Sequence, residues 1–427
     1  MRTVSPQLTA DVPPLWSLPP VSRGPEAGPA GGDPEAVLRD LCAPLFQSLR
    51  RSDQRRRGAE YIRGLLSTRG RKSIRNMAAL IGGSGTGQSL HHFICSSTWD
   101  WTLVRRAMAE YVIRTSPPRA WVARPMTIPK VGQHSVGVSR YFSPDEGQAL
   151  NAQRAIGVWA VSDRMSVPLN WRLHLPGTWI KDGLRRNQAS IPCEIQPETL
   201  SDCALMACRE MLAGGWGLPA RPVVVDIGEA DPLATVAGLH ADGIPSLVRV
   251  TGELPLSVTD AALTGHGSHP LPAADIMRAA RNMRRPVVWR EEGPRPRRRT
   301  SLVTAVRVAA PGTARPGSGA AGTDRDGGLL LVGVGETSRQ WPAELWLTDL
   351  PASQAAAVPQ LGSLSHRVEQ VFDEVTAQVG IRDYVGRSYS GWHRHVTLAS
   401  AAHAVAVLSA AGGARPPVRA ARAVRAS

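Results

Sequence analysis

Leu38, Leu41, Leu45 and Leu49 recur every three or four residues, the period that lines one face of a helix with apolar side chains. Asp33 and Pro34 stand just ahead of them, a capping side chain followed by a proline suited to a first helical turn, so a helix is predicted to begin there. The basic run "RRSDQRRRGAEYIRGLL" leads into a second helix, and "RKSIRNMAALIGG" reads as a third that Gly82 and Gly83 should stop. In "STWDWTLVRRAMAEYVI", Leu103, Val104, Met108, Tyr111 and Val112 form another apolar stripe. Residues 33–115 are therefore expected to be all-helical.

After "TSPPRA" the pattern changes to extended segments. "WVARPMTIPKV", "HSVGVSRYF", "AIGVWAV" and "VPLNWRLHL" read as a meander of strands. A helical stretch, "TLSDCALMACREMLAGG", precedes "RPVVVDIGEADP", in which three valines end on Asp226. "IPSLVRVTG", "RPVVWREE", "SLVTAVRVAA", "GLLLVGVG" and "ELWLTDL" are further strand candidates, interrupted by the low-complexity "APGTARPGSGAAGTDRDGG". Two helices close the chain, "SHRVEQVFDEVTAQVG" and "GWHRHVTLASAAHAVAVL". The pattern predicts an α/β fold over 116–411: a mixed sheet with flanking helices and a β-rich insertion at about 240–350, flexible over 309–327. The Pro- and Gly-rich residues 1–32 and the Arg/Ala tail at 412–427 are expected to be disordered.

One motif invites a nucleotide reading and does not support it. In "LIGGSGTGQSLHHF", Gly82, Gly87, Gln88 and Ser89 fall on the spacing of a phosphate-binding loop. Such a loop needs a strand before its glycines and a lysine for the phosphates. Here a basic helix precedes them and Gln88 holds the lysine position, so the stretch is read as a helix–helix turn.

Composition adds a partner class. Lys and Arg number 50 against 35 Asp and Glu, a formal charge of +15 and a sequence pI near 10.7. A polyanion partner, nucleic acid first, fits that balance through counterion release. An Arg-rich, lysine-poor bias explains part of the basicity but not the shortage of acids. The basic runs Arg50–Arg57, Arg69–Arg75, Arg105–Arg106 and Arg295–Arg299 are candidate phosphate contacts. Arg55, Arg56, Arg57, Arg71, Lys72, Arg75, Arg105 and Arg106 from these runs, together with Lys130, are the expected DNA-contact residues. Trp99 and Trp101 could stack on bases, but core packing is the favoured reading. Five cysteines without a CxxC pair fit buried free thiols better than disulfides or zinc. No signal-peptide core is visible, and "LASAAHAVAVLSAAGG" is too short and Ala-rich to span a bilayer. A cytoplasmic, nucleoid-associated protein is expected.

Five ordered blocks carry a family resemblance: "RKSIRNMAALIGG…SLHHFICSSTWDW", "WVARPMTIPKVGQHSVGVSRYF", "VPLNWRLHLPGTWIKD", "VVVDIGEADP" and "VEQVFDEVTAQVGIRDYVGRSYSGWHRHVTLASAAHA". From about residue 60 to 411 the chain resembles the insertion-sequence-701-like transposases of the DDE superfamily. The resemblance implies an RNase H-like catalytic domain, double-stranded DNA as partner, Mg²⁺ as cofactor and a helical DNA-binding domain at 33–115. It leaves a homodimer open. Cutting a phosphodiester in this way takes two divalent ions held by convergent carboxylates, Asp, Asp and Glu in this family.

Where the resemblance expects the first Asp, in Asp-Asp-Thr-Gly-Phe-Pro-Lys, this chain has Arg124-Pro125-Met126-Thr127-Ile128-Pro129-Lys130, with Pro125 on the ligand position. The second and third positions fall on Asp226 and Glu369, the residual catalytic and metal-ligand candidates, with weak or absent metal binding expected. The helix partners of that Glu fall on Ser365, near Arg367, and on Thr376. Asp231, Asp373 and Glu374 are read as solvated charges, and His393 and His395 as helix-start packing or DNA-facing groups. Asp145, Glu146 and Asp163 lie off the strand and are poor substitutes for the missing ligand. The expected function is a DNA-binding protein of the DDE type impaired in strand cleavage. The alternatives are an active Mg²⁺-dependent transposase using an unrecognised carboxylate and a host-recruited DNA-binding regulator.

Overall fold

The computed structural model describes residues 33–82, 85–143, 147–263, 269–291, 296–312, 328–336 and 341–413, apart from the side chains at 143, 374–377 and 411–413. Of the stretches expected to be disordered or flexible, 1–32, 313–327 and 414–427 lie outside the described residues, as do Asp145, Glu146, Arg295 and the side chains of Glu374 and Thr376. Of the 309–327 and 412–427 expectations, Ala309 instead ends a strand and 412–413 end the last helix.

Five helices come first: α1 (Pro34–Leu45), α2 (Ser52–Ser67), α3 (Ile74–Ile81), α4 (Thr86–Cys95) and α5 (Trp101–Thr115). Asp33 caps α1 by accepting the Glu35 N–H at 3.0 Å, with Pro34 in the first turn as its sequence predicts. Asp100 caps α5 in the same way. Gly82 ends α3 at φ +98°, a conformation that favours glycine. The glycine-rich stretch therefore lies between two helices with no strand leading into it, which removes the phosphate-loop geometry.

The sheet begins with β1 (Ala120–Pro129), β2 (Ser139–Ser143), β3 (Gln148–Val161) and β4 (Ser166–Leu173), all antiparallel neighbours around β3. Gly157, in the middle of β3, faces the Trp171 ring of β4, and a Cβ there would sit 2.6 Å from it. Three helices follow, α6 (Gly177–Lys181), α7 (Gly183–Gln188) and α8 (Leu200–Leu212), the last closed by a Thr199–Asp202 capping box. Then come β5 (Val223–Val225), α9 (Pro232–Ala241) and β6 (Ser246–Val250). β5 lies parallel to β1, and β6 parallel to β5. The order β4-β3-β1-β5-β6, three antiparallel strands followed by two parallel ones, is the RNase H-like arrangement. β5 is short and wholly buried, so it needs a run of valines rather than an alternating pattern.

The insertion extends the same sheet. β7 (Pro255–Val258), β8 (Leu271–Pro272), α10 (Ala273–Ala279), β9 (Arg285–Glu291), β10 (Arg297–Ala309), β11 (Leu329–Gly335) and β12 (Glu344–Thr348) follow in order. β12 joins antiparallel to β6 and continues the sheet into β11 and β10. The residues near 240–250, grouped with the insertion in the sequence, instead belong to α9 and β6 of the parallel core.

Two long helices finish the chain, α11 (Val358–Val379) and α12 (Tyr389–Gly413). α11 starts several residues before the predicted Ser365, because Val358, Leu361 and Leu364 carry the same buried stripe as Val368. α12 is buried on every side from Trp392 to Val405, as a helix apolar all round must be. It packs against β4 and against α1, α2, α4 and α5, so one hydrophobic core unites the N-terminal helices with the sheet. Among the described residues no helix is long and apolar enough to cross a membrane. The cysteines are free as expected, but Cys193 is exposed.

This packing changes the reading of several polar residues. Arg105, a DNA-contact candidate in the sequence, is 1% exposed. Its guanidinium donates to Thr397 Oγ1 at 2.8 Å, Asn170 Oδ1 and the Trp171 carbonyl at 2.9 Å, and His393 Nδ1 at 3.1 Å. Burial outweighs the opposing charge of Glu210 and pulls its pKa down to about 10. Lys72, another candidate, is also buried; its amino group donates to the Thr68 carbonyl and its backbone N–H to Asp383 at 2.7 Å. Neither side chain can reach a phosphate. His393 and His395 are packing groups, not DNA-facing ones: Tyr61 Oη donates to His395 Nδ1 at 2.8 Å, while His395 Nε2 donates to the Gly380 carbonyl at 3.0 Å. Trp99 is buried and stacks on Phe93, and Trp101 stacks on His393.

Replacing Arg105 with Met should strand several buried acceptors and lower the unfolding free energy by about 3 kcal/mol. The neighbouring Arg106→Met, which loses only an exposed ion pair with Glu110, should cost less than about 0.5 kcal/mol. Urea denaturation followed by tryptophan fluorescence measures both; equal losses would contradict the assignment of Arg105 to the core.

Candidate functional site

β1 runs beside β5 until Ala123 pairs with Val225, and one step further stand Arg124 and Asp226, held together by the Asp226 N–H donating to the Ala123 carbonyl at 3.2 Å. α11 lies across this edge and presents Ser365 and Glu369, one helical turn apart, on the same face. The Arg124 guanidinium fills the space between them. Its Nη1 lies 3.0 Å from Asp226 Oδ2 and its Nη2 3.1 Å from Glu369 Oε1. Nη1 also donates to Ser365 Oγ at 2.9 Å, and Ser365 Oγ donates to Asp226 Oδ2 at 2.8 Å. Asp226 is mostly buried and Glu369 is more than half exposed, so the cation joins an inner carboxylate to an outer one.

A second arginine reinforces the inner carboxylate. Arg249, from the middle of β6, places Nη1 3.2 Å from Asp226 Oδ2 and Nη2 3.9 Å from Glu344 Oε1. Glu344, at the start of β12, also meets His366 Nε2 at 2.8 Å and accepts from Trp346 Nε1 at 3.1 Å. The hydrogen bond to Glu344 raises the His366 pKa despite partial burial. Burial pushes the Glu344 carboxyl up, but the hydrogen bond and charge of His366 together with Arg249 outweigh it and hold the carboxyl below its ordinary value.

A divalent ion does not fit this donor set. A two-metal centre needs several open carboxylate oxygens. Here Asp226 Oδ2 receives two guanidinium groups and a hydroxyl, Glu369 receives one guanidinium, and among the described residues no third carboxylate joins them. Nor is any group of three or more His, Cys, Asp or Glu side chains among those residues placed to hold a metal. Arginine stays protonated throughout the accessible pH range, so the internal cation is permanent.

The side chain facing both carboxylates is Arg124, one residue before the proline that the resemblance places on the missing ligand. Pro125 lines a small cleft of about 180 Å³ beside the site, together with Trp159, Trp171 and Phe372. Asp163 pairs with Arg119 on the far turn of β3, and Asp373 pairs with Arg382 at 3.3 Å. Asp231 caps α9 rather than serving only as a solvated charge. Arg367 donates to the Ser162 and Asp163 carbonyls, away from the two carboxylates. Sequence reasoning missed Arg249 and His366. The one available signal was a charged residue in the apolar run "SLVRV" of a core strand.

The remaining basic candidates divide by location. Arg55 and Arg56 are exposed on α2, where Arg55 donates to the Leu49 carbonyl at 2.7 Å, and Arg57 pairs with Glu60 at 2.7 Å. Arg75 and Arg106 are exposed on α3 and α5. Arg71 and Lys130 instead share an open cleft of about 760 Å³. Lys130 Nζ donates to the Tyr384 carbonyl at 2.7 Å, and burial, helped by the charge of Arg71, pushes its pKa down to about 8.

A family model described as DDE superfamily endonuclease matches residues 44–307. The match spans Arg124, Asp226 and Arg249 and ends before α11. No curated protein matches the sequence. The DDE superfamily generally uses divalent metal ions such as Mg²⁺ and acts on DNA.

The His366–Glu344 pair makes a signed pH prediction. A raised histidine pKa contributes stability that is full below the unfolded value, 6.5, and lost as pH rises through the folded value. The lowered Glu344 contributes above 4.5 and fails as pH falls through its folded value. Because His366 is 40% exposed, His366→Gln should cost less than about 1 kcal/mol near pH 5.5, a cost that shrinks as pH rises above 6.5. Thermal melts of both proteins across that range test it, and a cost that grows with pH would refute the pairing.

Proposed function

Because the chain belongs to the DDE superfamily endonucleases, with more than half of its length matched, we propose that it is a transposase-type DNA-binding protein whose strand-cleaving centre has been replaced by an internal ion pair. The observation that carries this reading is Arg124, whose guanidinium spans Asp226 and Glu369 at 3.0 and 3.1 Å. Within the insertion-sequence-701-like branch that the ordered blocks resemble, those two carboxylates correspond to the second and third acidic positions, and the first is degenerate. A fixed cation in that space repels a divalent ion by Coulomb's law and occupies the oxygens it would need.

DNA binding asks nothing of that centre. The formal charge of +15 and the exposed Arg55, Arg56, Arg75 and Arg106 favour phosphate contact without base readout. Binding should therefore fall at least about tenfold between 50 and 200 mM salt.

The deciding experiment incubates the purified protein with duplex carrying the sequences that flank its gene, in Mg²⁺ or Mn²⁺. The duplex should shift in a gel at low salt and remain uncut. Nicks that vanish in Asp226→Asn would overturn the loss of cleavage. As a companion measurement, Arg124→Asp should acquire a Mn²⁺-dependent rise in melting temperature that the wild-type protein lacks.

A further inference from the structure

The open cleft beside the ion-paired carboxylates is built from three distant segments. They are the α2–α3 connection at Gly70 and Arg71, the end of β1 with the loop after it, and the α11–α12 connection at 382–387. Arg71, Lys130, Arg382 and Arg387 line it together with His134, against one carboxylate, Asp383. That carboxylate already accepts the Lys72 backbone N–H. Arg382 is engaged by Asp373 and lies over the Phe372 ring at 4.7 Å. Among the described residues Arg71, Lys130 and Arg387 have no carboxylate within ion-pairing distance. Lys130 is a half-buried ammonium whose hydrogen-bond partner is a backbone carbonyl, and the charge of Asp383 does not outweigh the cost of its burial.

We propose that this cleft binds the phosphate backbone of a single nucleic-acid strand, with Arg71, Lys130 and Arg387 as its phosphate contacts. The inference rests on the DNA-binding reading above and names where and in what form the strand sits. A volume of about 760 Å³ is the scale of a ligand pocket, too small to admit a duplex but open enough for the sugar–phosphate of one strand. Val131 and Val385, both largely exposed at its rim, offer apolar surface to sugars or bases while the cations track the backbone. From Arg124 to Lys130, β1 runs beyond the end of β5, so one overhanging strand connects the two sites over about 20 Å. Arg382 lines both clefts, so they adjoin at this residue. A strand leaving the cleft along this edge would pass the Arg124–Asp226–Glu369 cluster without meeting a metal.

The test is fluorescence anisotropy of the full-length protein with a labelled 20-nucleotide single strand and with the corresponding duplex, over a salt series. Compared are the wild type, the double variant Arg71→Glu/Arg387→Glu, and a control reversal at two exposed residues around the start of β9 that belong to none of the basic runs, Arg281→Glu/Arg285→Glu. Circular dichroism melts check the fold, and Arg71→Gln/Arg387→Gln replaces the reversal if that variant unfolds. The cleft variant should bind the single strand at least tenfold more weakly, with a log–log salt slope shallower by about 0.7 for each phosphate it no longer neutralises. The control should lose less than threefold. If the wild type binds DNA while the cleft variant stays within threefold of it, or falls no further than the control, the cleft assignment fails and the DNA-binding reading stands. Binding to duplex with the single strand ignored also defeats it. A wild type that binds neither probe defeats both readings.

Discussion

The ion pair of Arg124 with Asp226 and Glu369 joins three elements that are far apart in the chain: a core strand, the end of its parallel neighbour and a helix crossing their edge. Two carboxylates converging at such an edge repel each other unless something positive lies between them. In a working metal centre the ions do this. Here a side chain does it, and the arrangement is complete within the protein. Arg249 and Ser365 also bond to the same oxygen of Asp226, so the inner carboxylate is matched by hydrogen bonds as well as charge, the condition under which a largely buried carboxylate is tolerated. The helix that carries Glu369 is thus tied to the sheet by protein side chains alone.

What holds the N-terminal helices in place is a different polar device in the same core. α12 is apolar on all sides, yet Arg394, His395 and Thr397 project from it to bond with α4, α2 and α5. Arg105 completes this network by reaching from α5 to α12 and to β4. Such groups add little net stability, but each has a partner in only one docking geometry, so they fix that geometry. The α2–α3 connection is held close to the α11–α12 connection by the Lys72 N–H bond to Asp383 and by the Tyr61–His395–Gly380 chain. The basic cleft exists because of this docking: Arg71 comes from the α2–α3 connection and Arg387 from the α11–α12 connection.

The elements most legible in the sequence were those with a strong period or a cap: α1 behind Asp33-Pro34, the stripe of α5, and the valines of β5. α9 was not legible, because "PLATVAGLHA" is apolar with almost no one-sided stripe and its helix is set by packing against α8 and β6. The site shows a subtler limit. Side chains alternate across a strand, so a shift of one residue exchanges the face that meets the helix for the one that does not. Matching motif letters put Pro125 on the missing ligand, whereas register with β5 puts Arg124 beside Asp226. The basic runs had the opposite problem. Arg105 and Arg106 are adjacent in one run, but helical rotation sends one into the core and the other to solvent. Charge runs reveal how many cations there are and not which way they point.

The two neighbouring regions differ in electrostatic balance, and that difference directs the field. Around Asp226, two arginines face two carboxylates, with Glu344 and His366 closing the outer end, so the cluster is close to neutral. In the cleft, four cations face Asp383, and of these only Arg382 is ion-paired among the described residues, to Asp373 at the edge. Unpaired charge in a concave, partly desolvated wall projects further than the same charge on an open helix, since low-dielectric walls focus the field. Arg55 and Arg56, on the exposed surface of α2, are screened within about a Debye length of 8–10 Å and serve mainly to raise the local concentration of a polyanion. Lying between Asp226 and Glu369, the Arg124 guanidinium also offsets the negative potential that two bare carboxylates would set up at this edge.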